Sequence, residues 1–268
     1  MTDYPPELVF LVRMLDPAKL LPPLPGIAAV LPALVGVPAA VIADVRSHIE
    51  DRLDEAADEL LQDDAVKADL ARLTNSGTGS IAGIGDSLTA DRLGWFALLE
   101  RLCAKAESDI DFTNFACAGE TSTQMLARLP AIARTGADLV LCLPPSNDVR
   151  RFGRNSAPTQ MSSEESQRAL ALCRDECLRV SRRFVFICAP GIEERAAQDS
   201  PFWQEMGVHW RAGDLDTLAA AVLALDGAAI DLRTALAGQA GMREPDGLHL
   251  TPGGAVQAVK HILARAAW

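Results

Sequence analysis

The chain reads as an α/β protein in which a parallel sheet lies between helical layers, preceded by a helical N-terminal region. Three observations predict this. After residue 80, short apolar runs alternate with longer helix-like stretches, the pattern of right-handed βαβ crossovers. One of those runs, Leu139–Leu143, is continuously apolar, as expected of a strand covered on both faces. Before residue 79 the apolar residues instead recur at helical spacing.

In chain order, the N-terminal region spans residues 1–78. Val45, Ile49, Leu53, Ala56 and Leu60 form one apolar stripe of a helix whose other face carries Glu50, Asp51, Asp54, Glu55 and Asp58. The acidic face reads as solvated. Asp63 or Asp64 can cap a further short helix running through Leu73. Asn75–Ser80 is a turn-rich linker to a second region, residues 79–268. There, strands are expected at Ile81–Ile84, Ile110–Phe115, Leu139–Leu143, Phe184–Cys188 and Ala228–Leu232. Helices are expected near 91–106, 121–134, 163–182, 214–225 and 252–266.

Bulk properties exclude several classes. The 268 residues are 49% hydrophobic and 23% charged, enough to bury a core without disulfides or a structural metal. A net charge of −11 repels phosphate backbones, so nucleic acid is not an expected partner. The six cysteines lack a C-x-x-C pair or a regular framework and read as free thiols in the reducing cytoplasm. Cys173 and Cys177 share a helix face, but with no His beside them no metal is implied. Residues 20–43 carry no charge, yet Pro22, Pro23, Pro25, Pro32 and Pro38 would break a spanning helix repeatedly. Asp3, Glu7 and Asp16 precede that run where a signal peptide would be basic. Packing helices are therefore expected there, rather than membrane association or a processed segment.

In open parallel sheets, ligands bind beyond the carboxyl ends of the strands. Polar residues gather there. Strand one ends in Gly85-Asp86-Ser87-Leu88-Thr89 ahead of a helix-like stretch, whose free amides would favour an oxyanion. Strand two is followed by Asn114-Phe-Ala-Cys-Ala-Gly119-Glu-Thr-Ser122, and strand three by Pro144-Pro-Ser-Asn147-Asp148. A Gly amide and an Asn amide are uncharged donors that can be aimed at a tetrahedral intermediate. Near the C-terminus, Asp246-Gly-Leu-His249 allows one turn to bring the carboxylate onto the imidazole, just before a helix capped by Thr251 and opened by Pro252. Taken singly, each is a common turn or helix cap.

Together and in this order, the four stretches resemble the SGNH (GDSL-like) hydrolase family, over roughly residues 79–268. The resemblance implies a three-layer α/β/α sandwich with a five-stranded parallel sheet of flavodoxin-like type. It also implies Ser87 as nucleophile, His249 as general base and Asp246 as its orienting partner. The amides of Ser87 and Gly119 and the side chain of Asn147 would form the oxyanion hole. Two residues depart from the family pattern: Pro145 stands where Gly is usual and Glu120 where Asp is common. No Gly-x-Ser-x-Gly elbow occurs, which argues against the α/β-hydrolase fold.

The expected reaction is hydrolysis of a small-molecule carboxylic ester, with an acyl or acetyl group on a small alcohol, sugar or natural product, and without cofactor. The alternatives are acyl transfer on the same triad and a non-catalytic binding role. Pro190–Gly213 is aromatic-rich, and Trp203 and Trp210 are its candidates for walling the substrate site. The N-terminal helices could lid the site, pair two copies of the chain, or dock a partner. They are expected to pack on the catalytic domain because their apolar stripe needs cover.

Overall fold

In a computed structural model, residues 4–20, 26–153 and 158–266 are described; Pro22, Pro23 and Pro25 of the uncharged run lie outside them. The N-terminal region forms α1 (Pro6–Met14), α2 (Ala39–Leu60) and α3 (Asp64–Thr74), with short helical turns between α1 and α2. After β1 (Ser80–Ile84) come α4 (Trp95–Lys105), β2 (Asp111–Asn114) and β3 (Leu139–Cys142). Then follow α5 (Ser163–Leu178), β4 (Arg183–Cys188), α6 (Ala212–Leu223), β5 (Ala228–Asp231) and α7 (Pro252–Arg265). The five strands form one parallel sheet in the order β2-β1-β3-β4-β5.

Strand alternation sorts the core into two halves. Ile81, Leu139, Leu141, Val185, Ile187 and Ile230 face α4 and α7. Ala82, Ile84, Val140, Cys142, Phe184 and Phe186 face α5 and α6. In the second half, the thiol of Cys173 meets those of Cys142 and Cys177. All six cysteines are free and buried.

On the first side a further layer covers α4 and α7. Both of these helices are apolar round much of their circumference: Leu98, Leu99 and Leu102 of α4, and Val256, Val259, Ile262 and Leu263 of α7, are all buried. Helix α2 packs along both, and α3 against α7. The predicted α2 stripe, Val45 to Leu60, is buried in this shared core. Asp63 caps α3 by accepting from the Ala65 amide at 2.9 Å, and its other oxygen takes Lys260 of α7 at 3.0 Å.

The structure differs from expectation in three places. The helix expected near 121–134 is divided by a 3₁₀ turn, Leu126–Arg128, into Ser122–Met125 and Leu129–Thr135. The acidic face of α2 is only partly solvated, because it borders a basic edge of α4. Arg101 pairs with Glu50 and Asp54, and Lys105 with Asp54 and Asp58. The stretch after Ser87 is also not one helix from residue 91. Ser87–Ala90 is a single turn, and α4 begins only at Trp95. Asp91 makes the break by folding its carboxylate back to accept from the Leu93 amide at 2.9 Å.

Among the described residues, no helix is long and apolar enough to cross a membrane. Because the N-terminal layer shares its core with the sheet, urea unfolding followed by tryptophan fluorescence and by circular dichroism should give one coincident transition. Leu102→Ala should lower stability by about 2–5 kcal/mol in that experiment. Separate melting of an N-terminal unit would contradict the shared core.

Candidate active site

The expected residues converge beyond the carboxyl end of β1. Ser87 opens the turn after Asp86, and its Oγ lies 2.8 Å from Nε2 of His249. Nδ1 of His249 lies 2.6 Å from Oδ2 of Asp246. The other Asp246 oxygen accepts from the amides of Leu248 at 2.8 Å and His249 at 2.9 Å. The carboxylate thus fixes both the imidazole and the turn that carries it. Burial works against its charge, but the hydrogen bond and charge of His249 and these two amides more than offset that, holding Asp246 below the usual carboxylate range. Its pairing is therefore complete above that range and is lost only as pH falls through the depressed value. His249 itself is buried, and Thr251 and Pro252 open α7 two residues later, as their types predict.

Gly85 ends β1 under tight contact, since a Cβ there would lie 2.6 Å from the Leu143 carbonyl oxygen. Gly119 has φ of +84°, which turns the loop after β2 in a way that favours glycine. Among the described residues, no acceptor takes the amide of Ser87 or of Gly119. Both remain available for a ligand oxygen. Because the helix after Ser87 is a single turn, a free amide rather than a long helix dipole is what this turn offers.

Asn147 lies in a 3₁₀ turn (Ser146–Val149) after β3. Its Nδ2 donates to Asp86 Oδ2 and to the Glu120 carbonyl, both at 3.1 Å. Pro145 fits without strain, with φ of −60° and its carbonyl accepting from the Asp148 amide. The side chain of Glu120 turns away to pair with Arg128.

Trp203 and Trp210 both lie beside the site, but neither indole is open to a substrate: 5% and 1% of their surfaces are exposed. This corrects the expectation that they wall the substrate. Trp203 stacks against His249 with ring centroids 6.0 Å apart and donates to the Asp246 carbonyl at 2.9 Å. Trp210 lies under the Asn147 turn and donates to the Ser146 carbonyl at 3.0 Å. Both support the loops that carry polar groups, as buried indoles do when their N–H finds a partner.

Three further carboxylates tie the site together. Asp86 is fully buried and accepts from the Leu88 amide at 3.0 Å and from the Ser146 amide and hydroxyl, both at 2.7 Å. Burial pushes its carboxyl upward, and the Ser146 hydroxyl, the Leu88 amide and the charge of His249 oppose that. Asp148 accepts from the Ser122 amide at 2.7 Å and hydroxyl at 2.6 Å, joining the loops after β3 and β2. Asp91 receives Arg13 from α1. The sequence signal for Asp86 and Asp148 was their position inside the quoted motifs. For Arg13 there was none.

A serine, imidazole and carboxylate in series at the strand ends of a parallel α/β/α sandwich form the arrangement of serine hydrolases. The model of the GDSL-like lipase/acylhydrolase family matches residues 84–256, and the chain belongs to that family. It is an enzyme that acts on ester bonds. Several solved structures share the fold. That of TesA is 21% identical, covers 69% of this chain and 97% of that one, and has a TM-score of 0.52. That of the acetyl xylan esterase AlAXEase is 14% identical, with coverages of 69% and 98% and a TM-score of 0.55. That of Axe2, an acetylxylan esterase from Geobacillus stearothermophilus, is 17% identical, with coverages of 72% and 95% and a TM-score of 0.54. No curated protein sequence matches the chain.

Asp246→Asn should keep the fold but offer an amide where the imidazole needs an acceptor. Turnover of a chromogenic acetate ester should fall about 10³–10⁴-fold with an unchanged circular dichroism spectrum.

Proposed function

We propose that Ser87, His249 and Asp246 carry out ester hydrolysis through an acyl-enzyme on Ser87, acting on an acyl or acetyl group of a small alcohol, sugar or natural product. The observation that supports this best is the unbroken series from Ser87 Oγ through His249 to Asp246, at 2.8 and 2.6 Å. Ser87 Oγ bonds to the ester carbonyl carbon while its proton passes to Nε2 of His249. Asp246 holds the tautomer and stabilises the imidazolium. The carbonyl oxygen becomes an oxyanion held by the amides of Ser87 and Gly119.

Asn147 is the third donor in this reading. Asp86 Oδ2 already accepts two shorter bonds from Ser146. The 3.1 Å bond from Asn147 is therefore the one that can be given up to an oxyanion at least cost. The carbonyl re-forms as the alcohol departs with the proton from His249. Water, giving a proton to Nε2 of His249, then attacks the acyl carbon, and His249 returns that proton to Ser87 Oγ as the acyl–oxygen bond breaks and the acid departs.

In this reading residues 79–268 are the catalytic unit and residues 1–78 a helical region packed on it. Six free, buried thiols support a cytoplasmic location. The α2 stripe is spent inside the chain, so pairing of two copies through it would have to displace α4 and α7.

A fluorophosphonate should label the wild-type chain at Ser87, and Ser87→Ala should abolish labelling and ester turnover. A wild-type chain that is not labelled would sink the reading. Asn147→Ala should reduce kcat about 10²–10³-fold without abolishing it, measured on a panel of p-nitrophenyl esters.

A further inference from the structure

We propose that helix α1, which lies outside the family match, is part of the active site: Arg13 positions the loop after Ser87 against the loop bearing Asp246 and His249, while Phe10 walls the imidazole. The proposal rests on Ser87, Asp246 and His249 being the reacting groups.

Arg13 is only 6% exposed. One edge of its guanidinium grips Asp91, with Nε at 3.0 Å from Oδ1 and Nη2 at 2.5 Å from Oδ2. The other edge reaches Glu244, with Nη1 at 2.5 Å from Oε1, and the Leu250 carbonyl, with Nη2 at 3.2 Å. Each contact is one step from a reacting residue. The Asp91 amide donates to the Ser87 carbonyl at 2.9 Å, and the Glu244 amide donates to the His249 carbonyl at 2.8 Å. Leu250 follows His249 directly. A rigid planar fork thus spans two loops whose reacting side chains are 162 positions apart in sequence.

Attaching α1 to the rest of the chain does not require this. Val12 and Met14 already bury apolar surface there, and α1 packs on α2. A guanidinium out of water is costly unless fully paired. Its placement between the two loops accounts for that cost, because a reacting distance that drifts by about 1 Å can lose about 10²-fold in rate. Phe10, one turn before Arg13 on the same side of α1, sets its ring edge-on to His249 with centroids 5.2 Å apart. It also meets Phe202 at 5.1 Å. Phe10 is half-buried, so it is the aromatic beside His249 that a bound acyl or alcohol group can reach.

The test uses the full chain, p-nitrophenyl acetate and octanoate, fluorophosphonate labelling and thermal melting. Arg13→Lys keeps the charge and loses the fork; kcat should fall about tenfold with KM within about twofold of wild type. Arg13→Gln should cost about 10²-fold in kcat. Because that change leaves Asp91 buried and unpaired, the double variant Arg13→Gln/Asp91→Asn removes the orphaned charge, and it should show the same kcat loss in a cooperatively melting chain. Phe10→Ala should raise the octanoate-to-acetate ratio of kcat/KM by about fivefold or more. Wild-type kcat in Arg13→Lys and in the double variant, with only the melting temperature lowered, would show a purely structural Arg13 and overturn the positioning role. An unchanged acyl preference in Phe10→Ala would overturn the wall. Absence of labelling in the wild-type chain would instead count against the catalytic assignment on which both rest.

Discussion

Asp86, a carboxylate outside the Ser87–His249–Asp246 series, fixes the geometry of the site. It has no exposed surface, and its two oxygens take donors from the turn after β1 and from the loop after β3. Removing such a group from water costs several kcal/mol unless its lone pairs are filled. The arrangement is therefore nearly all-or-none for two of its donors: Ser146 and the Leu88 amide have to be where they are for the carboxylate to be tolerated, while the longer bond from Asn147 can be given up. Ser87 lies between Asp86 and Leu88, so the same bonds that satisfy Asp86 orient the serine. Trp210 extends this outward by occupying the carbonyl of Ser146.

The same device recurs around the site. Asp148 joins the loops after β3 and β2 through Ser122. Asp246 holds its own turn and the imidazole, and Asp91 ends the Ser87 turn and receives Arg13. Four acids thus link four separate loops by bonds to amides, hydroxyls, one imidazole and one guanidinium. Backbone amides are suited to this because they cannot change rotamer, so each carboxylate fixes a chain direction as well as a distance. A chain with net charge −11 is expected to carry its acids outward. At this site they instead form the framework, and the acidic composition gave no sign of it.

What could be read from the sequence follows from how local each cause was. The central strands are legible because a sheet covered on both faces needs continuous apolar runs, and Leu139–Cys142 and Phe184–Cys188 have them, whereas the edge strand β2, Asp111–Asn114, is half exposed and carries none. Ser87, Gly119, Asn147, Asp246 and His249 were legible as a set because each sits in a short motif at a strand end or before a helix. Helix α4 begins later than expected because Asp91 and Gly94, both poor residues for a helix interior, act as turn and cap: the Asp91 carboxylate accepts from the Leu93 amide and pairs with Arg13, and Gly94 is the extended residue before Trp95. The partners of Arg13 lie 78 and 231 positions away, and no local pattern records such a distance. Trp203 and Trp210 show the other limit: aromatic content placed them near the site, but which face each ring presents is settled only by the elements that close over it.

The position of α1 at the site follows from the apolar surface of α4 and α7. These two helices bury one side against the sheet and still carry apolar residues on the other, so the sheet alone cannot satisfy them. Helices α2 and α3 supply the missing cover, and the ion pairs of Arg101 and Lys105 with α2, and of Lys260 with Asp63, set how α2 and α3 lie on them. Helix α1 packs on α2, so fixing α2 fixes where the chain entering it runs. That path crosses the strand ends, and it delivers Phe10 and Arg13 to the gap between Ser87 and His249 loops. A layer first required by hydrophobic cover thereby reaches His249 and the loops of Ser87 and Asp246, through one aromatic edge and one buried guanidinium.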